Sequence, residues 1–223
     1  MNIPNLVMRL GTIAVASIAC ATVFGALAVR SPEQFFRTNM GLLDATEPIA
    51  FYIGDGKNVP GSVASDHELA EWALDAWARE SGGKLKFVEV KQEESALVRV
   101  QWVSSHQGLF GETQRVRVAG RPGAVVYIMP EVSELGEPLA TRAVQDSLLR
   151  DTIVYLTCVH ELGHAVGMIH TSNFEDIMYS FGFGGDIVKY FMRYRDKLNS
   201  RVDIKKYSGL SAGDADVLRS FYK

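Results

Sequence analysis

Cysteine is scarce in this chain: among 223 residues only positions 20 and 158 carry it. Cys20 lies in an N-terminal apolar run and Cys158 in a helical stretch far along the chain, so no disulfide is expected and a disulfide-stapled scaffold is excluded. Neither sign of charge dominates. The 23 Lys and Arg residues face 26 Asp and Glu, a formal net charge of −3, which gives no basis for a nucleic-acid partner. Long uncharged runs are also missing after residue 29, which excludes a protein with several membrane spans. Histidine is rare as well, with five residues in all. Three of them fall between positions 160 and 170. What remains, 47% hydrophobic and 22% charged residues, suits one globular domain behind a short leader.

The clustered histidines stand in the run HELGHAVGMIH. His160 and His164 are four apart, so on a helix they project from one face and can grip one metal ion. Glu161 is not needed as a ligand; beside the metal, its carboxylate can take a proton from water. Gly167 can adopt a positive φ at little cost, ending the helix and turning the chain back. That turn would bring His170 round as a third nitrogen ligand. Three protein ligands leave the fourth tetrahedral position for water, the pattern of a catalytic zinc rather than a structural one. Cys158 points away from the His160 and His164 face and is expected as a buried thiol. His106, in a Ser-Ser-His-Gln loop without nearby acidic or histidine partners, is expected as a surface histidine.

This window resembles the active-site motif H-E-x-x-H-x-x-G-x-x-H of the metzincin zinc metalloendopeptidases. Asp176-Ile177-Met178-Tyr179 looks like their Met-turn, and its Met-Tyr pair is similar to the matrixin branch. Leu210-Ser211-Ala212-Gly213-Asp214, with Leu218 and Phe221-Tyr222, resembles the terminal helix of matrixin catalytic domains. The resemblance covers roughly residues 48 to 223. It implies an α/β (α+β) metzincin-type domain: a twisted mixed β-sheet, two long helices and a C-terminal helix. It further implies zinc-dependent hydrolysis of internal peptide bonds in a protein or peptide substrate. His160, His164 and His170 would hold one catalytic Zn2+, Glu161 would move the proton, and Met178 would form the structural floor. The segment from Glu112 to Val118 would be the sheet edge beside the cleft, where an extended peptide can add as one more strand.

Three departures separate the chain from animal matrixins. No Pro-Arg-Cys-Gly segment precedes the domain, structural-zinc and calcium signatures are missing, and residues 181 to 206 look like an insertion. The nearer likeness is to small bacterial-type matrixins. Two rivals stand beside the peptidase. An intramembrane zinc protease also carries H-E-x-x-H but needs several apolar spans. A catalytically inactive metzincin-fold binding module at the membrane surface would have little reason to keep Glu161.

Residues 1 to 30 read as a signal-anchor or signal peptide. Gly11 to Val29 holds no charge, is bracketed by Arg9 and Arg30, and is long enough to cross a bilayer as a helix. Its length favours an uncleaved transmembrane anchor; Ala26-Leu27-Ala28 fits a cleavage site. Cys20 after Ser17-Ile18-Ala19 lacks the leucine of a lipoprotein box. Each alternative puts the catalytic domain outside the cytoplasm, membrane-anchored or secreted. Residues 31 to 47 read as a linker.

Beyond it, Ile49 to Ile53 reads as a strand. Ser65 to Ser81 reads as a helix with a Ser65 and Glu68 capping box and a core stripe through Leu69, Trp72, Ala73, Ala76 and Trp77. Leu85 to Val90, Leu97 to Val103, Glu112 to Val118 and Ala124 to Met129 read as strands, the last two joined by Gly120-Arg121-Pro122-Gly123. An active-site helix is expected from around Ser147 to Gly167, and an amphipathic one over Asp186 to Asn199 with a basic outer face.

Overall fold

Alternation of apolar and polar residues builds the sheet. The computed structural model describes residues 41–104 and 110–223; the run from Gly11 to Val29, Cys20 and His106 lie outside the described residues. Five strands form one sheet: β1 (Ile49–Ile53), β2 (Phe87–Glu89), β3 (Val98–Trp102), β4 (Gly111–Val118) and β5 (Arg121–Ile128). In β3, Val98, Val100 and Trp102 are buried while Arg99 and Gln101 are only half-buried, the period of two that puts alternate side chains on one face. The strand order is β2-β1-β3-β5-β4. All neighbours are parallel except β4, which runs antiparallel to β5 and forms one edge.

The β4–β5 hairpin turns earlier than the glycines at 120 and 123 predict. Val118 pairs with Arg121, leaving Ala119 and Gly120 as a two-residue turn with φ of 49° and 81°. Two positive φ values match the twist of a type I′ hairpin. Pro122 is tolerated inside β5 because β3 pairs with that strand only from Ala124 onward, so no ladder bond to β3 is needed there.

Five helices complete a mixed α/β fold among the described residues: α1 (Asp66–Glu80), α2 (Leu139–Gln145), α3 (Ser147–Ala165), α4 (Ile187–Arg195) and α5 (Ala212–Phe221). The expected stripe of α1 is buried throughout. Its expected capping box does not form. Ser65 makes no side-chain cap bond. Glu68 is drawn instead to Arg201 at 2.5 Å, and the same guanidinium donates to the Ser65 carbonyl at 2.6 Å. The short α2, with only Leu139 and Ala143 buried, carries too little periodicity to be expected. α3 starts where Asp146 accepts from the backbone N–H groups of Leu148 and Leu149 at 3.1 and 3.2 Å.

α1 and α3 pack face to face. Trp77, fully buried, donates its indole N–H to the Val159 carbonyl at 2.8 Å. Asp66, 1% exposed, pairs with Arg150 of α3. The expected insertion folds as a 3₁₀ turn over Phe181–Phe183, then α4, then a 3₁₀ turn over Arg201–Lys205. α4 buries Tyr190, Phe191 and Tyr194, and Tyr194 stacks on Tyr155 of α3 with ring centres 5.7 Å apart. Gly41 to Leu43, within the segment expected as a linker, lie against the domain, with Leu43 buried.

The expectation of a transmembrane helix is corrected for the described residues; Gly11 to Val29, where it is expected, lies outside them. Among the described residues no helix is long and apolar enough to cross a membrane. The longest of them, α3, carries Arg150, Asp151 and Glu161 along its length.

Trp77 is the largest fully buried side chain joining α1 to α3. Trp77→Ala is therefore expected to cost about 3–5 kcal/mol, read as a lowered midpoint in denaturant unfolding. A loss below about 1 kcal/mol would mean that the two helices hold together by other contacts.

Candidate metal centre

The last turns of α3 supply His160, Glu161 and His164. The helix ends at Val166, and Gly167 takes φ 101°, a value open to glycine and strained for other residues. A Cβ there would also stand 2.5 Å from Leu42 Cδ2. The Met168 N–H closes on the Gly163 carbonyl at 2.9 Å, and the reversed chain delivers His170 to the face that holds the other two histidines.

The three rings meet at their Nε2 atoms. His170 Nε2 lies 3.2 Å from His160 Nε2 and 3.1 Å from His164 Nε2. Two of the Nδ1 atoms face main-chain carbonyls: His160 at 2.7 Å from Ile177 O and His164 at 3.1 Å from Met168 O. A carbonyl only accepts, so each Nδ1 carries the hydrogen and each Nε2 of this pair presents a lone pair. His170 Nε2 has at most one hydrogen to offer two such lone pairs. A cation shared by all three nitrogens resolves that conflict. Zinc–nitrogen bonds of about 2.0–2.1 Å in tetrahedral geometry hold neighbouring nitrogens about 3.3 Å apart, close to the observed spacing. Burial, and then the neighbouring His160 and His170, push the His164 pKa down to about 3, so the ring stays neutral as a ligand must.

The floor of this cluster is the turn from Asp176 to Tyr179. Met178 is fully buried, and a Cβ on Gly163 would fall 2.4 Å from its sulfur and 2.8 Å from Trp77. Glycine at 163 is thus what lets the turn lie directly on α3, one residue before His164. The turn is held from α5. Asp214 accepts from the Ile177 N–H at 2.8 Å and from the Ser211 N–H at 2.9 Å. Ser211 in turn donates its hydroxyl to Asp176 at 2.7 Å. The peptide that Asp214 grips on one side is therefore continuous with the carbonyl that orients His160.

Glu161 is 7% exposed and shares a cavity of about 200 Å³ with His160 and His170. The remaining wall is mostly apolar, including Met129, Ile153, Leu156, Tyr190 and Phe191. Burial raises the Glu161 carboxyl to about 7, opposed by a hydrogen bond from Thr113 and reinforced by the charge of Glu112. Arg115 of β4 crosses to the C-terminal end of α3. It donates to the carbonyls of His164 and Ala165 at 3.1 and 2.6 Å, where the helix dipole favours a cation, and to Gly41 O at 2.5 Å.

All four residues expected at the centre, His160, Glu161, His164 and His170, are brought together, with Met178 buried against the same helix. Cys158 is fully buried, and desolvation raises its thiol pKa. The sequence reading missed Gly111, Thr113, Arg115 and Gly163. Residues 111, 113 and 115 alternate along one strand, a signal that becomes readable only once β4 is known to face α3. A scan against protein-family models finds no match for this chain, and a search of curated proteins finds none either.

Proposed function

We propose that this protein is a zinc-dependent metalloendopeptidase of the metzincin type, matrixin-like, acting on internal bonds of a protein or peptide. One observation carries the proposal: three imidazoles converge on one point while Glu161 lines the same cavity. His160, His164 and His170 would hold the metal. A bound zinc ion supplies Lewis acidity and brings a coordinated water towards a pKa of about 7. Glu161 accepts a proton from the attacking water and returns it to the departing amine. Met178 contributes packing beneath the histidines and does not reach the substrate. β4, as the antiparallel edge strand whose 111, 113 and 115 side is turned to α3, offers its outer edge to an extended peptide. The cavity beside His160 suits an apolar side chain of that peptide. The five-stranded mixed sheet, the two long helices and the C-terminal helix agree with this reading.

Two outcomes follow for the purified full-length protein. Elemental analysis should find about one zinc per chain, and His164→Ala should lose it, because two imidazoles bind far more weakly than three. A zinc-free wild type that regains no metal on dialysis against zinc would contradict the assignment.

The second outcome separates base from ligand. Glu161→Gln keeps the shape of the side chain but cannot accept a proton. It should retain zinc and melting temperature while cleavage of labelled casein falls towards the upper end of the ~10²- to 10⁴-fold range for such groups. Normal cleavage by the zinc-loaded variant would reject the mechanism. A folded, zinc-loaded wild type that cuts no protein would favour a binding module instead.

A further inference from the structure

The glutamate of the proposed site is not held by its own helix. Its carboxylate sits between two residues of β4 that are two apart and face α3 together. On one side, Thr113 Oγ1 lies 2.9 Å from Glu161 Oε2 and 2.7 Å from the main-chain carbonyl of the same residue. One hydroxyl thus lies within hydrogen-bond reach of both ends of Glu161, its single hydrogen shared between the main-chain carbonyl and the carboxylate. On the other side stands Gly111. A Cβ at that position would fall 2.6 Å from Glu161 Cγ, 2.8 Å from Oε1 and 2.9 Å from Cδ. Real Cβ atoms essentially never come so close, so a side chain at 111 would push the Glu161 carboxylate out of its place and towards the cavity it lines. The pattern Gly-x-Thr is therefore a clamp: absence of a side chain admits the carboxylate, and a hydroxyl fastens it.

We propose that Gly111 and Thr113 are positioning residues which hold the Glu161 carboxylate in its working rotamer. This rests on the proposed peptidase chemistry for its consequence and on the contacts alone for its geometry. Both residues bear on Glu161 itself, so the clamp acts through it. A misplacement of about 1 Å in a reacting group can cost ~10²-fold in rate, and the clamp removes that freedom. It also ties the edge strand to the helix, because β4 supplies both halves of the clamp.

The test uses full-length Thr113→Val, Thr113→Ser and Gly111→Ala beside wild type and Glu161→Gln. Three quantities are read: zinc content, kcat and KM on one peptide cut from casein, and the infrared carboxyl band that is absent from Glu161→Gln. Thr113→Val should keep its zinc and a KM within about twofold, lose roughly 10- to 100-fold in kcat, and move the band. Thr113→Ser should recover both kcat and band position. Gly111→Ala keeps the hydroxyl yet should also move the band and lower kcat, and it decides the matter should Thr113→Val fail to fold. An unmoved band in the folded variants overturns the clamp whether or not the wild type cleaves. A moved band with an inactive wild type leaves the clamp standing and overturns the peptidase reading instead. A moved band with unchanged kcat in an active enzyme overturns the positioning role.

Discussion

Everything at the proposed centre depends on the orientation of three imidazole rings. A histidine has two nitrogens, and which one is free is set by the bond the other makes. Here the Ile177 and Met168 carbonyls take the Nδ1 hydrogens of His160 and His164, and the lone pairs turn inward. Those carbonyls belong to two different stretches of chain after α3. Each has its own support: the Gly167 reversal for Met168, and the grip of Asp214 on the turn for Ile177. The cluster is thus determined twice over by backbone placement, and only secondarily by the helix that bears two of its members.

The close approaches follow from the same requirement. For the turn to bring Ile177 O to His160, Met178 must lie against α3, and only glycine at 163 leaves space for its sulfur. For the chain to reverse after Val166, residue 167 must accept positive φ and the proximity of Leu42. Trp77 packs at Gly163 beside Met178 and bonds to the Val159 carbonyl, fixing the depth at which α3 sits. Side chains of very different character, a tryptophan, a methionine and two glycines, therefore serve one end, which is the height and rotation of His160 and His164.

The sequence made the local parts of this legible. The 160–164 spacing, the glycine reversal and the stripe of α1 are all written within one or two turns of chain, where helical geometry alone relates the residues. Parts written across the chain were not. Thr113 and Glu161 are 48 residues apart, Ile177 and Asp214 are 37, and Asp66 and Arg150 are 84. No periodicity links such pairs. The capping box at Ser65 failed for a related reason: a distant Arg201 competed for Glu68 and won. The hairpin turn falls earlier than expected because proline interrupts a strand only where a neighbouring strand needs the N–H that proline lacks. At Pro122 the neighbour β3 ends short of the proline, so the strand simply continues. The short α2 buries two side chains and leaves no pattern to find.

The central claim is that these three nitrogens are metal ligands in the protein as purified. X-ray absorption at the zinc edge tests it most directly, because it reports which atoms surround the ion. The expected result is a nitrogen and oxygen shell at about 2.0–2.1 Å with the outer scattering pattern of three imidazoles and no sulfur. Cys158 is fully buried, so a thiolate has no route to the ion within this fold. A sulfur shell near 2.3 Å, or a spectrum without imidazole scattering, would contradict the assignment of His160, His164 and His170.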